Sequence, residues 1–243
     1  MTTTPNLLAA LSGPPPTTIP DVLSLMTEID AALPPNDGLK WFNYLYWKTT
    51  QAVNAGPPSG AWEDPAGLSR LDVVFASYYF QAVRDWYQAP ERVPRAWRPL
   101  LVNRNRADVA RIRFALTGMN AHINHDLPLA VVDTFRQSGT PFAPDGVLHR
   151  DYEQVNSILE IVEVQVKQEL AVGVVGLIGE EIGKTGDVTA MWSIRKARET
   201  AWDNAMVLSA LDSAALFRNA FLLSLDRLVG LAGQGLMLPP GVG

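Results

Sequence analysis

Apolar side chains recur at intervals of three and four residues along almost all of this 243-residue chain, and they rarely alternate as paired strands would require. Elements of that kind each carry one apolar stripe, and stripes can only be hidden against one another. The expected fold class is therefore all-α, a single-domain bundle of about seven to eight helices. With 47% hydrophobic and 19% charged residues, the chain has the apolar surface for one sizeable core.

The stripes place the elements. Residues 1–18 read as a flexible tail, because a short apolar patch at 7–11 runs into Pro14-Pro15-Pro16. A helical domain is expected over 19–236, and residues 237–243 form a second tail. Pro20 suits a first helical turn, and Val22, Leu25, Met26, Ile29 and Leu33 mark the first helix. Asp37-Gly38 opens a second helix, 39–55, dense in aromatics and closed by Gly56-Pro57-Pro58. Leu68, Leu71, Phe75, Tyr79, Ala82 and Trp86 mark a third, succeeded by a proline-broken connector that holds Trp97. Residues 107–136 read as one long helix, bent or interrupted at Pro128. Val155, Ile158, Leu159, Val162 and Val166 mark the next, and 214–231 the last. Between these, Met191, Trp192, Arg195, Glu199, Trp202 and Met206 define one helical face. Residues 172–186, with five glycines, are compatible with a frayed helix end, a loop or a short hairpin.

Composition removes several function classes. A net charge of −5 and scattered basic residues argue against a nucleic-acid surface, which needs clustered Lys and Arg to neutralise phosphates. The absence of cysteine excludes disulfides, thiolate metal sites and a cysteine nucleophile. No basic residue precedes the first apolar patch, as an export signal would require, and the longest apolar run, 170–179, is about half of the ~20 residues that a membrane-spanning helix needs. A cytoplasmic protein with no membrane partner is expected. A homodimer is permitted but not required.

The long helix contains Asn120-Ala121-His122-Ile123-Asn124-His125-Asp126-Leu127, which holds two of the chain's three histidines. Polar groups placed toward a core are costly unless partnered, so this segment is the candidate site. At about 100° per residue, Val109, Ile112, Leu116, Met119, Ile123 and Leu127 share one face with Asp126, His122 lies at its border, and His125 falls nearly opposite, in solvent. His122 and Asp126 are four apart and face each other. They are candidates for an acid/base pair, with His122 oriented by Asp126, and Asn120 and Asn124 positioned to hold polar substrate atoms. The bland alternatives are an Asp126 that caps a helix restarting at Pro128, and a His122 bonded to backbone.

Other segments can complete the site. Asp72 lies in the stripe of Leu68, Phe75 and Tyr79, so its carboxylate is expected to point inward and to need a counter-charge. Arg195 is the candidate partner, unless it only pairs with Glu199 on the surface. Trp41, Tyr44, Trp47, Tyr79, Trp86 and Trp202 offer ring surface for substrate walls, or simply core packing. His149 would be the third ligand of any metal held by His122 and Asp126, with Asp72 or Asp151 as substitutes. Asp151 also reads as a helix cap. No His-Glu-x-x-His helix, nucleophile elbow or Glu-x-x-His pair is present. Gly179-Glu180-Glu181-Ile182-Gly183-Lys184-Thr185 lacks the first glycine of a phosphate loop, since position 178 is Ile178.

Phe42-Asn43-x-Leu45-Tyr46, Leu71-Asp72-Val73-Val74-Phe75, Ala96-Trp97-Arg98, the histidine segment, His149-x-Asp151-Tyr152 and Ala197-Arg198-x-x-Ala201-Trp202 together resemble an uncharacterised, all-helical bacterial family of unknown function, common in actinobacteria. The likeness spans roughly residues 40–205 and implies no activity. The His122-x-x-x-Asp126 pair is also similar to a helical metal motif of the zinc-dependent phospholipase C and single-strand nuclease group, whose three-zinc site needs more histidines than this chain has. Three functions stand as expectations. The first is a metal-independent enzyme acting on a small apolar or aromatic molecule, such as a cyclase, isomerase or hydrolytic tailoring enzyme of specialised metabolism. The second is a hydrolase of esters or phosphoesters with a single divalent metal. The third is a non-catalytic small-molecule-binding protein.

Overall fold

The computed structural model describes residues 3–58, 60–172 and 193–238. Every described element is helical, and no strand occurs among the described residues. In chain order the helices are α1 (Thr3–Leu11), α2 (Ile19–Ala32), α3 (Gly38–Ala55), α4 (Pro65–Gln88), α5 (Arg98–Asn103), α6 (Arg111–Ala121), α7 (Leu127–Ser138), α8 (Val147–Val172), α9 (Ile194–Ala210) and α10 (Ala215–Met237). A 3₁₀ turn, Pro90–Arg92, precedes α5, and a π-helical turn, His122–Asp126, joins α6 to α7.

Local chemistry sets the boundaries. Thr18 and Asp21 form a reciprocal capping box at the start of α2. Asp37, Asp64 and Ser193 accept backbone amides at the starts of α3, α4 and α9. Gly139 ends α7 in the left-handed region, with φ 68°, where a side chain would be strained.

The α6–π–α7 rod is the axis of the bundle. From Arg113 to Phe135 only Asn124, Leu129 and Asp133 escape full burial, so the rod is covered on all sides rather than along one stripe. α3 and α10 pack on α6, while α4 and α9 pack on α7; α2 lies on α3, and α1 on α2. The α3–α6 contact is close because Gly118 has no side chain: a methyl group there would overlap the Phe42 ring. Asp37 fastens the start of α3 a second way, taking two bonds at 2.9 Å from Nε of the buried Arg104.

Four expectations change. The segment taken for a flexible tail contains α1, whose Leu7 and Leu11 are fully buried and whose Leu11 carbonyl accepts the Arg84 guanidinium at 2.7 Å. The apolar patch was long enough for two turns of helix, and the proline run only ends it. The last helix does not stop near 231 but continues to Met237. The buried face of α9 runs through Ile194, Ala197, Arg198, Ala201 and Trp202, so Arg195 and Glu199 lie outside it. The long helix begins only at Arg111, while its expected interruption near Pro128 takes the form of a π turn, His122–Asp126, after which the α-helix resumes at Leu127. Residues 173–186 of the open segment, and Met191 and Trp192, lie outside the described residues.

α10 is buried only at Val229, Gly230, Gly233 and Met237, and presents Leu216, Phe217, Leu223, Leu228 and Leu231 outward. Among the described residues it is the one helix long and apolar enough to cross a bilayer, judged by length and composition.

If α1 belongs to the core, Leu7→Ala should lower stability by about 2–4 kcal/mol, the cost of truncating a buried leucine. Urea unfolding would measure this, and an unchanged midpoint would return residues 3–11 to the status of a tail.

Candidate functional site

The site begins with a backbone irregularity. Pro128 has no N–H, so a regular α-helix would leave the carbonyl of residue 124 without its usual donor. Here the Leu127 N–H bonds the His122 carbonyl, an i to i+5 step that inserts one extra residue into the turn. The extra residue rotates every later position of the rod. His122, Ile123, His125 and Asp126 are therefore all buried, and a wheel drawn at a constant 100° per residue fails from this point. His125, expected in solvent, is only 7% exposed.

The Asp126 carboxylate is the hub of this turn, at 1% exposure. Its Oδ2 accepts the Trp97 indole N–H at 2.9 Å and faces His122 Nδ1 at 3.0 Å, while Oδ1 faces His125 Nδ1 at 2.7 Å. Burial alone would raise the Asp126 pKa, but the bonds from His122 and His125 outweigh it and hold the carboxyl below its usual range. Burial pushes His122 down despite the carboxylate beside it. For His125 the balance reverses: burial opposes the charge, but Asp126, and Asp226 3.7 Å from Nε2, raise its pKa.

These shifts fix the His122 tautomer. An ionised carboxylate can only accept, so neutral His122 carries its proton on Nδ1 and presents a lone pair at Nε2. That Nε2 is fully buried and has no hydrogen-bond partner among the described residues. Phe75 stacks on the imidazole at 3.6 Å with planes 6° apart, and Tyr46 meets it edge-on at 4.4 Å.

His122 forms part of the wall of a cavity of about 50 Å³ between α3, α4, α8 and α9. Tyr46, Asp72, Tyr152 and Arg198 share the wall, and Leu68, Leu71, Met119, Ile123 and Val155 make it apolar. A second buried polar atom on this wall, Asp72 Oδ2, also has no hydrogen-bond partner among the described residues. Asp72 is half-buried as a residue, yet its Oδ2 is occluded, and burial, only partly countered by Arg198, pushes its pKa up to about 7. A histidine with a free lone pair and a carboxyl that is partly protonated near neutrality thus border one apolar cavity, an arrangement able to take a proton at one point and give one at another.

The other candidates lie elsewhere. Asp126 caps nothing: α7 continues from the π turn with no side-chain cap bond. Asn120 donates to the Val229 carbonyl at 3.0 Å and accepts from Asn124 at 3.1 Å, so this pair ties α6 to α10 and is not part of the cavity wall. Arg195 is a surface residue bonded to Glu160 at 2.6 Å, and it pairs neither with Asp72 nor with Glu199. Trp41 lies under Arg111 and Tyr44 under Lys48; with Trp47 and Trp86 they are half-buried outside the cavity. Tyr79 is fully buried and donates to Asn43 Oδ1 at 3.1 Å. Trp202 donates to the Pro144 carbonyl at 3.1 Å and stacks on His149 at 4.5 Å. His149 is thus held in a separate aromatic cluster, away from the proposed ligand set. Among the described residues no three His, Asp or Glu side chains converge as metal ligands. Asp151, expected as a cap, instead accepts the amides of Glu63 and Asp64 at 2.8 and 2.7 Å and clasps the entry to α4.

Five residues of the site were not candidates for it from sequence: Tyr46, Phe75, Trp97, Tyr152 and Arg198. Arg198 was within reach, because it lies four residues from both Ile194 and Trp202 on the buried stripe. Trp97 sits in a connector without periodicity, and only the need of a buried indole for an acceptor pointed to it.

Comparison with known proteins adds a family but no activity. Residues 19–239 match the model of a family described as of unknown function, DUF5995. No curated protein and no solved structure matches the chain.

The raised Asp72 pKa makes a signed prediction. A carboxyl whose pKa is about 7 in the fold, against ~3.9 unfolded, contributes its full stability below pH 4 and loses it as pH rises through 7. Wild type should therefore lose roughly 2 kcal/mol between pH 5 and 7 relative to Asp72→Asn. Thermal unfolding of both proteins across that range would show it, and parallel curves would mean that Asp72 titrates normally.

Proposed function

The chain belongs to that family of unknown function, and for it we propose acid–base catalysis on a small organic molecule, with His122 as the base and Asp72 as the acid. The observation that carries this reading is His122 Nε2: fully buried, without a partner among the described residues, fixed in its tautomer by Asp126 and placed in the wall of a cavity. A histidine kept only for packing would satisfy both nitrogens or be replaced by an apolar ring of the same size, since an orphaned buried acceptor costs about 1–3 kcal/mol. Here one nitrogen is secured and the other is left for a ligand.

In the proposed cycle, Nε2 accepts a proton from the substrate while protonated Asp72 donates one to the oxygen or carbon where charge develops. The imidazolium is stabilised by Asp126, and the reverse transfers restore both groups. Trp97, donating to the same Asp126 oxygen as His122, fixes the carboxylate against rotation. The wall offers no serine or cysteine nucleophile, so the chemistry favoured is proton relocation, as in isomerisation or cyclisation, or activation of a water molecule for hydrolysis.

The test is consumption of metabolites by the purified protein. A cell extract incubated with wild type should show at least one small molecule depleted and another formed, and His122→Gln should reduce that conversion at least a hundredfold while leaving the unfolding midpoint close to wild type. Conversion that persists in His122→Gln, or a complete absence of conversion by wild type, would overturn the reading.

A further inference from the structure

Arg198 is the one buried charge at the cavity that the proposed chemistry does not use. It is 7% exposed. Its Nε–H donates to Asn156 Oδ1 at 2.8 Å and an Nη2–H to the Tyr152 carbonyl at 2.6 Å, and the guanidinium lies over the Tyr152 ring at 3.9 Å. All of these partners are neutral. Among the described residues no carboxylate stands within ion-pair distance of it, whereas Arg104, also buried, is neutralised by Asp37. The third buried arginine, Arg113, answers carbonyls at the C-terminal end of α10, where the helix dipole is negative. A desolvated cation with neutral acceptors only is unfavourable, and burial accordingly pushes the Arg198 pKa down.

The space beside it has the matching size and polarity. A cavity of about 150 Å³ takes up benzene, so one of 50 Å³ has room for roughly two or three non-hydrogen atoms, the size of a carboxylate group. Apart from Tyr46, Thr49, Asp72, His122, Tyr152 and Arg198, the wall is built of apolar side chains.

Resting on the reading of this cavity as the reacting site, we propose that the group it takes in is a carboxylate, held by Arg198. The charge that the described residues leave without an ion-pair partner is then supplied by the ligand. Asp72 supports this when protonated, by donating to a carboxylate oxygen, and opposes it when ionised, as a second anion in the same cavity. Four titratable or charged groups share the cavity with Asp72: Tyr46 from α3, His122 from the π turn, Tyr152 from α8 and Arg198 from α9. Of these only Asp72 has its pKa placed near 7, and a ligand that requires its protonated form should bind about tenfold more weakly at pH 8 than at pH 6.

Formate and its neutral isostere formamide are the probes, with ¹⁵N chemical shifts of the His122 imidazole in the wild-type protein as the readout. Formate should shift Nε2 in a saturable way, with the tenfold pH dependence, and formamide should not. Arg198→Gln should abolish the response; if that variant does not fold, the acid–amide comparison in wild type decides alone. Equal responses to both probes, no response to formate up to ~100 mM, or a response retained in folded Arg198→Gln would overturn the proposal. His122-dependent conversion of a neutral metabolite without formate binding would refute the carboxylate and leave the acid–base reading standing. Formate binding without any His122-dependent conversion would do the reverse.

Discussion

A proline in the middle of a fully surrounded helix is the constraint on which the rest of this structure depends. Pro128 cannot donate, and the rod that contains it has no exposed side on which an unpaired carbonyl could turn to water. A π turn lies just before Pro128, and brings His122, His125 and Asp126 inward together. Polar side chains in such a place need partners, and the Asp126 carboxylate supplies them, drawing in Trp97 from the connector between α4 and α5. The bundle around the rod is ordinary packing; the rod itself is where the sequence departs from what packing alone would select.

How much of this was legible in the sequence depends on how regular the backbone is. Helical class, the starts of α2 and α3 and the pairing of His122 with Asp126 rest on a constant rotation per residue and on capping chemistry, and both hold up to residue 122. His125 was misplaced because the rotation changes inside the π turn, which single-residue periodicity cannot register. Arg195 was expected to face Asp72 because it was placed on the face of Trp202, but the buried stripe runs through Ile194, Arg198 and Trp202, and Arg195 forms a surface ion pair with Glu160. Asn120 and Asn124 were correctly seen as polar groups in an apolar setting; their partner, the Val229 carbonyl of α10, is 109 residues away and leaves no local trace. The same holds for Asp151, whose two acceptor bonds go to backbone amides in a loop 87 and 88 residues earlier.

The electrostatics divide into two parts. On one side of the rod the charges are arranged in a line, His122, Asp126, His125 and Asp226, in which each group is next to one of opposite preference. On the other side the cavity holds groups that the described residues leave unbalanced: a lone pair, a carboxyl with a raised pKa and an arginine without an ion-pair partner. Satisfied networks rigidify a core, and each unsatisfied buried group calls for a physical reason. His122 belongs to both sets, with Nδ1 in the first and Nε2 in the second.

The π turn also means that the site depends on length as much as on identity. A π turn differs from an α turn by one inserted residue, so the histidine segment is a place where the chain is one position longer than a regular helix would be. Removing a single residue there would restore the α-helical count and rotate one half of the rod by about 100° relative to the other, without changing any side chain that remains. His122 and Asp126 would then no longer share a face with their present neighbours. The arrangement of this core is therefore recorded in an insertion, and a chain of this kind could lose its site through a change of reading length that leaves its composition almost untouched.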